Sequence, residues 1–308
     1  MNEEAVLQLR NVTKKIGRRT IVDNLTLDVQ RGEVFGFLGP NGAGKTTTIR
    51  MIVGLISMTK GEALIKGVSV RKHFELAMTH VGAIVENPEM YKFLTGYQNL
   101  VLCARRHAGV TKERIKEVVK LVGLENRIND KVKRYSLGMR QRLGVAQALL
   151  HKPSVLIFDE PTNGLDPAGI RELRDYMRNV AQQEGIGVIV SSHLLSEMEL
   201  MCDRVAIIQA GKLIDVRTMS ELKNAVGHQQ IIVEVENPVH TMEYLSTALP
   251  GLAISLQDGK LEIMAGRERI PELNRTLVYA DIDVYSIRMA NLSLEDQFLE
   301  LTRGEQIV

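Results

Sequence analysis

Hydrophobic positions change their spacing several times along the chain, and each change predicts an element. Val6 to Val12 alternates partly, and Ile21 to Val29 carries apolar residues at Leu25, Leu27 and Val29, the period of strands buried on one face. Gln30-Arg31-Gly32-Glu33 reads as a turn. Val34-Phe35-Gly36-Phe37-Leu38 is almost wholly apolar, as expected of a short strand covered on both faces in a parallel sheet. Gly39 to Gly44 breaks that run, and Thr46 to Ile56 reads as helix. Between about 87 and 150 the pattern is mostly helical, with Ile115, Val118, Val119 and Val122 at helix spacing among charged residues. Val155-Leu156-Ile157-Phe158 and Gly187-Val188-Ile189-Val190 predict further buried strands, separated by an amphipathic helix over Arg171 to Gln183. Strands alternating with helices predict an α/β fold with a parallel sheet.

After about residue 224 the pattern restarts. Ile231 to Val235 reads as a strand and Thr241 to Leu249 as a helix closed by Pro250. Ile254 to Gln257 and Lys260 to Met264 flank Asp258-Gly259, a strong hairpin signal. Ile270 to Val278 predicts a helix and Val284 to Met289 a last strand. This β-α-β-β-α-β order predicts a small α+β, ferredoxin-like domain over 225–308 behind a first domain over 1–224. Ser293 with Asp296 resembles a capping box opening a final helix to Leu301.

Composition narrows the class. The 308 residues are 44% hydrophobic and 25% charged, globular values that exclude a disordered chain. No apolar run approaches the roughly 18–20 residues of a membrane span, and the acidic start Met1-Asn2-Glu3-Glu4 lacks a secretory segment. A soluble, cytosolic protein is expected. Cys103 and Cys202 lack metal or redox spacing and read as reduced thiols. The net charge of +2 conceals an asymmetry: from Ala225 onward 6 basic residues face 13 acidic ones. A basic body is compatible with nucleic acid or anionic lipid, yet the shift reads first as a domain boundary.

The candidate chemistry begins at Gly39-Pro40-Asn41-Gly42-Ala43-Gly44-Lys45-Thr46, followed by Thr47, which fits GxxxxGK[ST] between a buried strand and a helix. Glycines let backbone N–H groups turn toward phosphate oxygens, and the following helix adds the positive end of its dipole. Lys45 offers a point charge for β- and γ-phosphates, and Thr46 a ligand for Mg²⁺. In Val155-Leu156-Ile157-Phe158-Asp159-Glu160, two acids follow a buried strand at the edge where open α/β sheets bind ligands. Asp159 suits Mg²⁺ and Glu160 a general base; taken alone, the pair reads equally well as a strand-end helix cap.

With Tyr135-Ser136-Leu137-Gly138-Met139-Arg140-Gln141-Arg142 added, the sequence resembles the ATP-binding subunits of ABC transporters. Ser136 and Gly138 match the core of the family signature, with Ser136 23 residues before Asp159. Asn163-Gly164-Leu165-Asp166 resembles the D-loop. Ser191-Ser192-His193 resembles the switch histidine, 33 residues after Glu160. The resemblance spans about residues 5 to 224. It implies a P-loop ATPase with an antiparallel β subdomain and a helical subdomain near 87–150. It also implies ATP and Mg²⁺ as cofactors, with catalysis resting on Glu160, His193 and Lys45. ATP held at Gly39–Thr46 of one copy would be closed over by Ser136 and Gly138 of a second, with Asp166 at the junction. A homodimer is expected, and a heterodimer with a degenerate partner stays open. A separate transmembrane permease would supply the transport path, which places the chain on the inner face of the cell membrane.

Three positions depart from the family pattern. Ile16 stands where an aromatic residue usually stacks on adenine, and no aromatic precedes Phe35. Weak base discrimination is expected, with Ile16 or Arg18 over the ring. Glu86 replaces the usual Q-loop glutamine, where it can still meet Mg²⁺ or water, and Glu86 to Tyr91 becomes the expected coupling segment. Leu137 and Met139 replace Gly and Gln in the signature. Together with Asp296 to Leu301, these variants resemble the bacitracin and lantibiotic export subgroup, which implies a peptide antibiotic or other hydrophobic substrate. A non-transport ABC protein acting on ribosomes or nucleic acid is the alternative. It would call for paired ATP domains or long insertions, and neither is visible. Nor is the Asn-Lys-x-Asp motif of a GTPase. The acidic C-terminal domain argues against a nucleic-acid platform.

Overall fold

The computed structural model describes residues 5–86, 88–224 and 229–291. The chain divides into two compact units, Met1–Met219 and Ser220–Val308.

The first unit contains two sheets. Strands β1 (Ala5–Ile16), β2 (Arg19–Gln30), β4 (Lys60–Ile65) and β5 (Val68–Ser69) form an antiparallel sheet in the order β2-β1-β4-β5. The other sheet runs β10-β9-β3-β8-β7-β6, built from β3 (Val34–Leu38), β6 (Val81–Ile84), β7 (Val155–Asp159), β8 (Gly187–Ser192), β9 (Arg204–Gln209) and β10 (Lys212–Thr218). It is parallel except for its edge strand β10. Every residue of β3, β7 and β8 is buried, which explains their unbroken apolar runs. Phe35, Phe37, Ile157 and Ile189 share one core with Leu7, Leu25 and Ile49.

The helices follow local signals. Helix α1 (Lys45–Ile52) is shorter than the stretch to Ile56 expected from the pattern, because Gly54 at φ 72° turns the chain out of the helix. The short α2 (Phe74–Met78) precedes β6. The region from 87 to 150 resolves into α3 (Gly96–Ala104), α4 (Lys112–Leu121) and α5 (Leu137–Leu149), separated by loops. Thr95, Thr111 and Ser136 cap these helices, Thr95 in a full capping box with Gln98. Helix α6 (Pro167–Glu184) starts earlier than Arg171, since Asp166 accepts from the Gly169 N–H at 2.9 Å and Pro167 opens the first turn. Short helices α7 (Leu195–Met201) and α8 (Met219–Asn224) follow.

The second unit contains β11 (Gln229–Val235), α9 (Pro238–Ala248), β12 (Ala253–Gln257), β13 (Lys260–Met264), α10 (Ile270–Tyr279) and β14 (Val284–Asn291). All pairings are antiparallel and the order is β12-β13-β11-β14, the ferredoxin-like arrangement that the element order predicts. Asp258 at φ 48° and Gly259 at φ 75° make the hairpin turn. Ile231, Val233, Leu261, Ile263, Leu245, Leu273 and Leu277 form its core. The helix expected from Ser293 to Leu301 and the tail at Asp296 lie outside the described residues.

His107 and His151 stack with ring centroids 4.3 Å apart, and His151 Nε2 meets the Val81 carbonyl at 2.9 Å. Burial lowers the pKa of both rings, with Arg106 adding to the effect at His107 and the neighbouring His107 adding to it at His151. In this range the unfolded chain binds more protons than the folded one, so stability falls as pH drops. Thermal melting is expected to show a loss from about pH 7.5 to about pH 5.5, and a His107→Gln, His151→Gln pair should reduce that slope. An unchanged slope in the pair would remove the stack as its source.

Candidate active site

The register of the parallel sheet gathers three loops at one edge. Leu38 pairs with Ser192 and Asp159 with Ser191, so the chain leaves β3, β7 and β8 at the same level. The loop after β3 runs from Gly39 into α1. Gly42 and Gly44 adopt φ 80° and 106°, conformations that disfavour a side chain. The β9–β10 turn holds this loop from behind: the Gly211 N–H donates to the Ala43 carbonyl at 2.9 Å, and the Asp23 N–H to the Gly211 carbonyl at 2.8 Å. Helices α3 to α6 each carry a side-chain cap, whereas α1 has none and no acid in its first turn. That leaves first-turn N–H groups and the positive dipole end for an anion.

Lys45 is buried in this loop, with Nζ donating to the carbonyls of Gly39 at 2.7 Å and Pro40 at 3.3 Å. The ammonium also lies 3.5 Å from Glu160 Oε1. His193 Nδ1 meets Glu160 Oε2 at 3.0 Å. Because an ionised carboxylate only accepts, Nδ1 carries the proton and Nε2 remains available. Thr46 Oγ1 and Ser191 Oγ both donate to Asp159 Oδ1, at 3.1 and 2.6 Å. Glu197 on α7 accepts from Thr162 at 2.8 Å and from Ser192 at 2.7 Å, a second tie between the loops after β7 and β8.

A cleft of about 470 Å³ is lined by Asn41 to Thr47, Glu160, Asn163 and His193, with Arg19 and Ile21 from β2. The sequence points to Asn41, Gly42, Ala43, Gly44, Lys45, Thr46, Thr47, Glu160 and His193, and the fold brings them together. Gly39 and Pro40 reach the cleft through Lys45, and Asp159 through Thr46. Ile16 is exposed at the end of β1 and does not line it; Ile21 and Arg19 stand there instead. Glu86, at φ 67°, is exposed, does not line the cleft and pairs with Arg50 at the end of α1. Ser136 accepts from the Met139 N–H at 3.2 Å as the cap of α5, and Asp166 caps α6. Neither they nor Gly138 line the cleft of their own protomer. Tyr91 is exposed beside Phe93, ring centroids 5.8 Å apart. Asn87 lies outside the described residues.

The family profile described as "ABC transporter" matches residues 22–163. The ABC transporter ATP-binding protein YhcH of Bacillus subtilis (strain 168) is 55% identical over 299 residues, covering 97% of this chain and 96% of the relative. This chain is an ABC transporter ATP-binding protein. The bacitracin transport ATP-binding protein BcrA of Bacillus licheniformis is 38% identical to this subunit over 98% of the subunit and 99% of BcrA. The lantibiotic transport ATP-binding protein SrtF of Streptococcus pyogenes is 40% identical over 68% of the subunit and 89% of SrtF. Among solved structures, an ATP-binding subunit of an ABC transporter superposes with a TM-score of 0.64 at 29% identity, covering 72% of this subunit and 93% of that chain. ABC ATP-binding proteins bind ATP with Mg²⁺ and work as dimers beside a membrane permease. The donors here fit both cofactors: an uncapped helix end and a lysine for phosphate, and two hard oxygen donors, Thr46 and Asp159, 3.1 Å apart for Mg²⁺. Among the described residues no helix is long and apolar enough to cross a membrane.

Proposed function

We propose that this ATP-binding subunit hydrolyses ATP at the Gly39–Thr47 cleft and drives export through a separate membrane permease, acting as a homodimer. The observation that carries the hydrolytic reading is Glu160 held between Lys45 and His193 at the rim of that cleft. The loop glycines, Lys45 and the first turn of α1 bind and orient the phosphates. Thr46 and Asp159 would hold Mg²⁺, which would neutralise charge on the phosphoryl oxygens. Glu160 would take the proton of the attacking water, and His193 fixes the Glu160 carboxylate while leaving its Nε2 available to the terminal phosphate. Ser136 and Gly138, away from their own cleft, serve the cleft of a second copy, with Asp166 packed at the junction.

The names of BcrA and SrtF support a peptide antibiotic as the exported substrate. Glu86 and the exposed Tyr91–Phe93 pair form the face toward the permease, and the subunit sits on the inner face of the cell membrane. Affinity purification from solubilised membranes should recover one transmembrane chain; recovery of ribosomal or nucleic-acid partners instead would overturn the transport reading. With Ile21 and Arg19 in place of an aromatic platform, aromatic stacking of ~1–3 kcal/mol is missing from the base. Affinities for ATP, GTP and CTP measured by calorimetry are expected to agree within about tenfold, and a preference of a thousandfold for ATP would contradict this.

A further inference from the structure

The parallel ladder between β7 and β8 ends at Asp159 and Ser191. Beyond it Glu160 enters the left-handed region at φ 48°, although the following Pro161 favours extended backbone. The Glu160 N–H therefore has no ladder partner. It donates instead to Ser191 Oγ at 2.9 Å, while the Ser191 hydroxyl donates its own proton to Asp159 Oδ1 at 2.6 Å. The same carboxylate oxygen takes the Thr46 hydroxyl. Ser191 is fully buried. One hydroxyl thus ties the carboxylate of the first acid to the main chain of the second.

We propose that Ser191 is a positioning residue that sets the Glu160 carboxylate against the Asp159–Thr46 pair. This rests on the ATPase reading above, in which Asp159 serves the metal side and Glu160 the water side. A serine has one proton and available lone pairs, so both bonds form at once and both vanish in alanine. Without them a part-buried N–H loses its acceptor and the strained turn loses its restraint. Glu160 then relaxes away from Lys45 and His193. The direct phosphate contacts persist, because the bonds of Lys45 to Gly39 and Pro40 and the start of α1 do not involve Ser191, and Asp159 keeps the Thr46 hydroxyl.

The test uses the full chain with Ser191→Ala, Ser191→Thr and Glu160→Gln. Steady-state kinetics in ATP should show kcat lowered about tenfold or more in Ser191→Ala while KM stays within about twofold. Threonine keeps the hydroxyl and suits a strand, so Ser191→Thr should recover most of the loss. Hydrogen exchange at the Glu160 amide, measured without nucleotide, should quicken about tenfold in Ser191→Ala alone. Exchange at the parent rate, or a kcat within twofold of the parent, would overturn the proposal. So would a rise in KM that tracks the loss of kcat together with a lowered melting temperature, the mark of a general packing role. If Glu160→Gln turns over like the parent, the assignment of Glu160 to the water side falls, and the role of Ser191 with it; if the parent itself does not hydrolyse ATP, the ATPase reading falls. If Glu160→Gln is inactive while Ser191→Ala is not, only the role of Ser191 falls.

Discussion

Glu160→Gln is expected to lower ATP turnover by about 10²–10⁴-fold while leaving ATP binding intact. The substitution keeps the size of the side chain but removes its capacity to take a proton. An amide oxygen can still accept from His193 Nδ1, so the local geometry at 3.0 Å has no reason to change. It also removes a negative charge 3.5 Å from Lys45, which should tighten rather than weaken the hold on anionic phosphates. The variant should therefore trap ATP and accumulate as a dimer in size-exclusion chromatography with ATP and Mg²⁺. Turnover at the parent rate would remove Glu160 as the base. Loss of both binding and turnover would make its role structural.

Gly39→Ala should abolish nucleotide binding and destabilise the first unit by about 3 kcal/mol or more. The added Cβ would be driven into the Ile208 carbonyl oxygen of β9, far inside van der Waals contact, and would sit 3.1 Å from Ala43 Cβ. A backbone oxygen in a paired strand cannot swing aside as a side chain can. The phosphate loop must then lift off β9, and Lys45 loses the Gly39 carbonyl that fixes its ammonium. Calorimetric titration with ATP and thermal melting read the two effects separately. Alanine at the open position Gly42 offers a comparison: nothing lies within 4 Å of its Cβ, so only backbone strain at φ 80° remains. Equal outcomes at the two positions would dismiss the clash as the cause.

Contiguous chemistry was legible in the sequence. Gly39 to Thr47 and the hairpin at Asp258-Gly259 each stand out within a few residues, whereas Asp159-Glu160 and His193 gain their meaning only from the order and spacing of the motifs. Features made by strand order were not. The double bond of Ser191 exists because Ser191 lies level with Asp159 across the β7–β8 ladder, a register no local pattern encodes. Arg19 and Ile21 line the cleft through the folding of β2, a placement that no local pattern in the sequence encodes. Strand β6 escaped the pattern because it is short and contains Gly82, where a side chain would meet the Ala148 carbonyl. The apolar spacing of α1 continues past the turn at Gly54, so the pattern alone does not mark where the helix ends.

The clamp from Gly211 onto the phosphate loop also sets when the protein becomes competent. The loop leaves the ribosome early, but its brace is encoded more than 160 residues later. At about 5–20 residues per second, roughly 10–30 s of synthesis separate the two. A nascent chain can therefore display every nucleotide motif and still lack a formed pocket, so ATP cannot assist its early folding. Capacity to bind arrives only once β9 and β10 have been made.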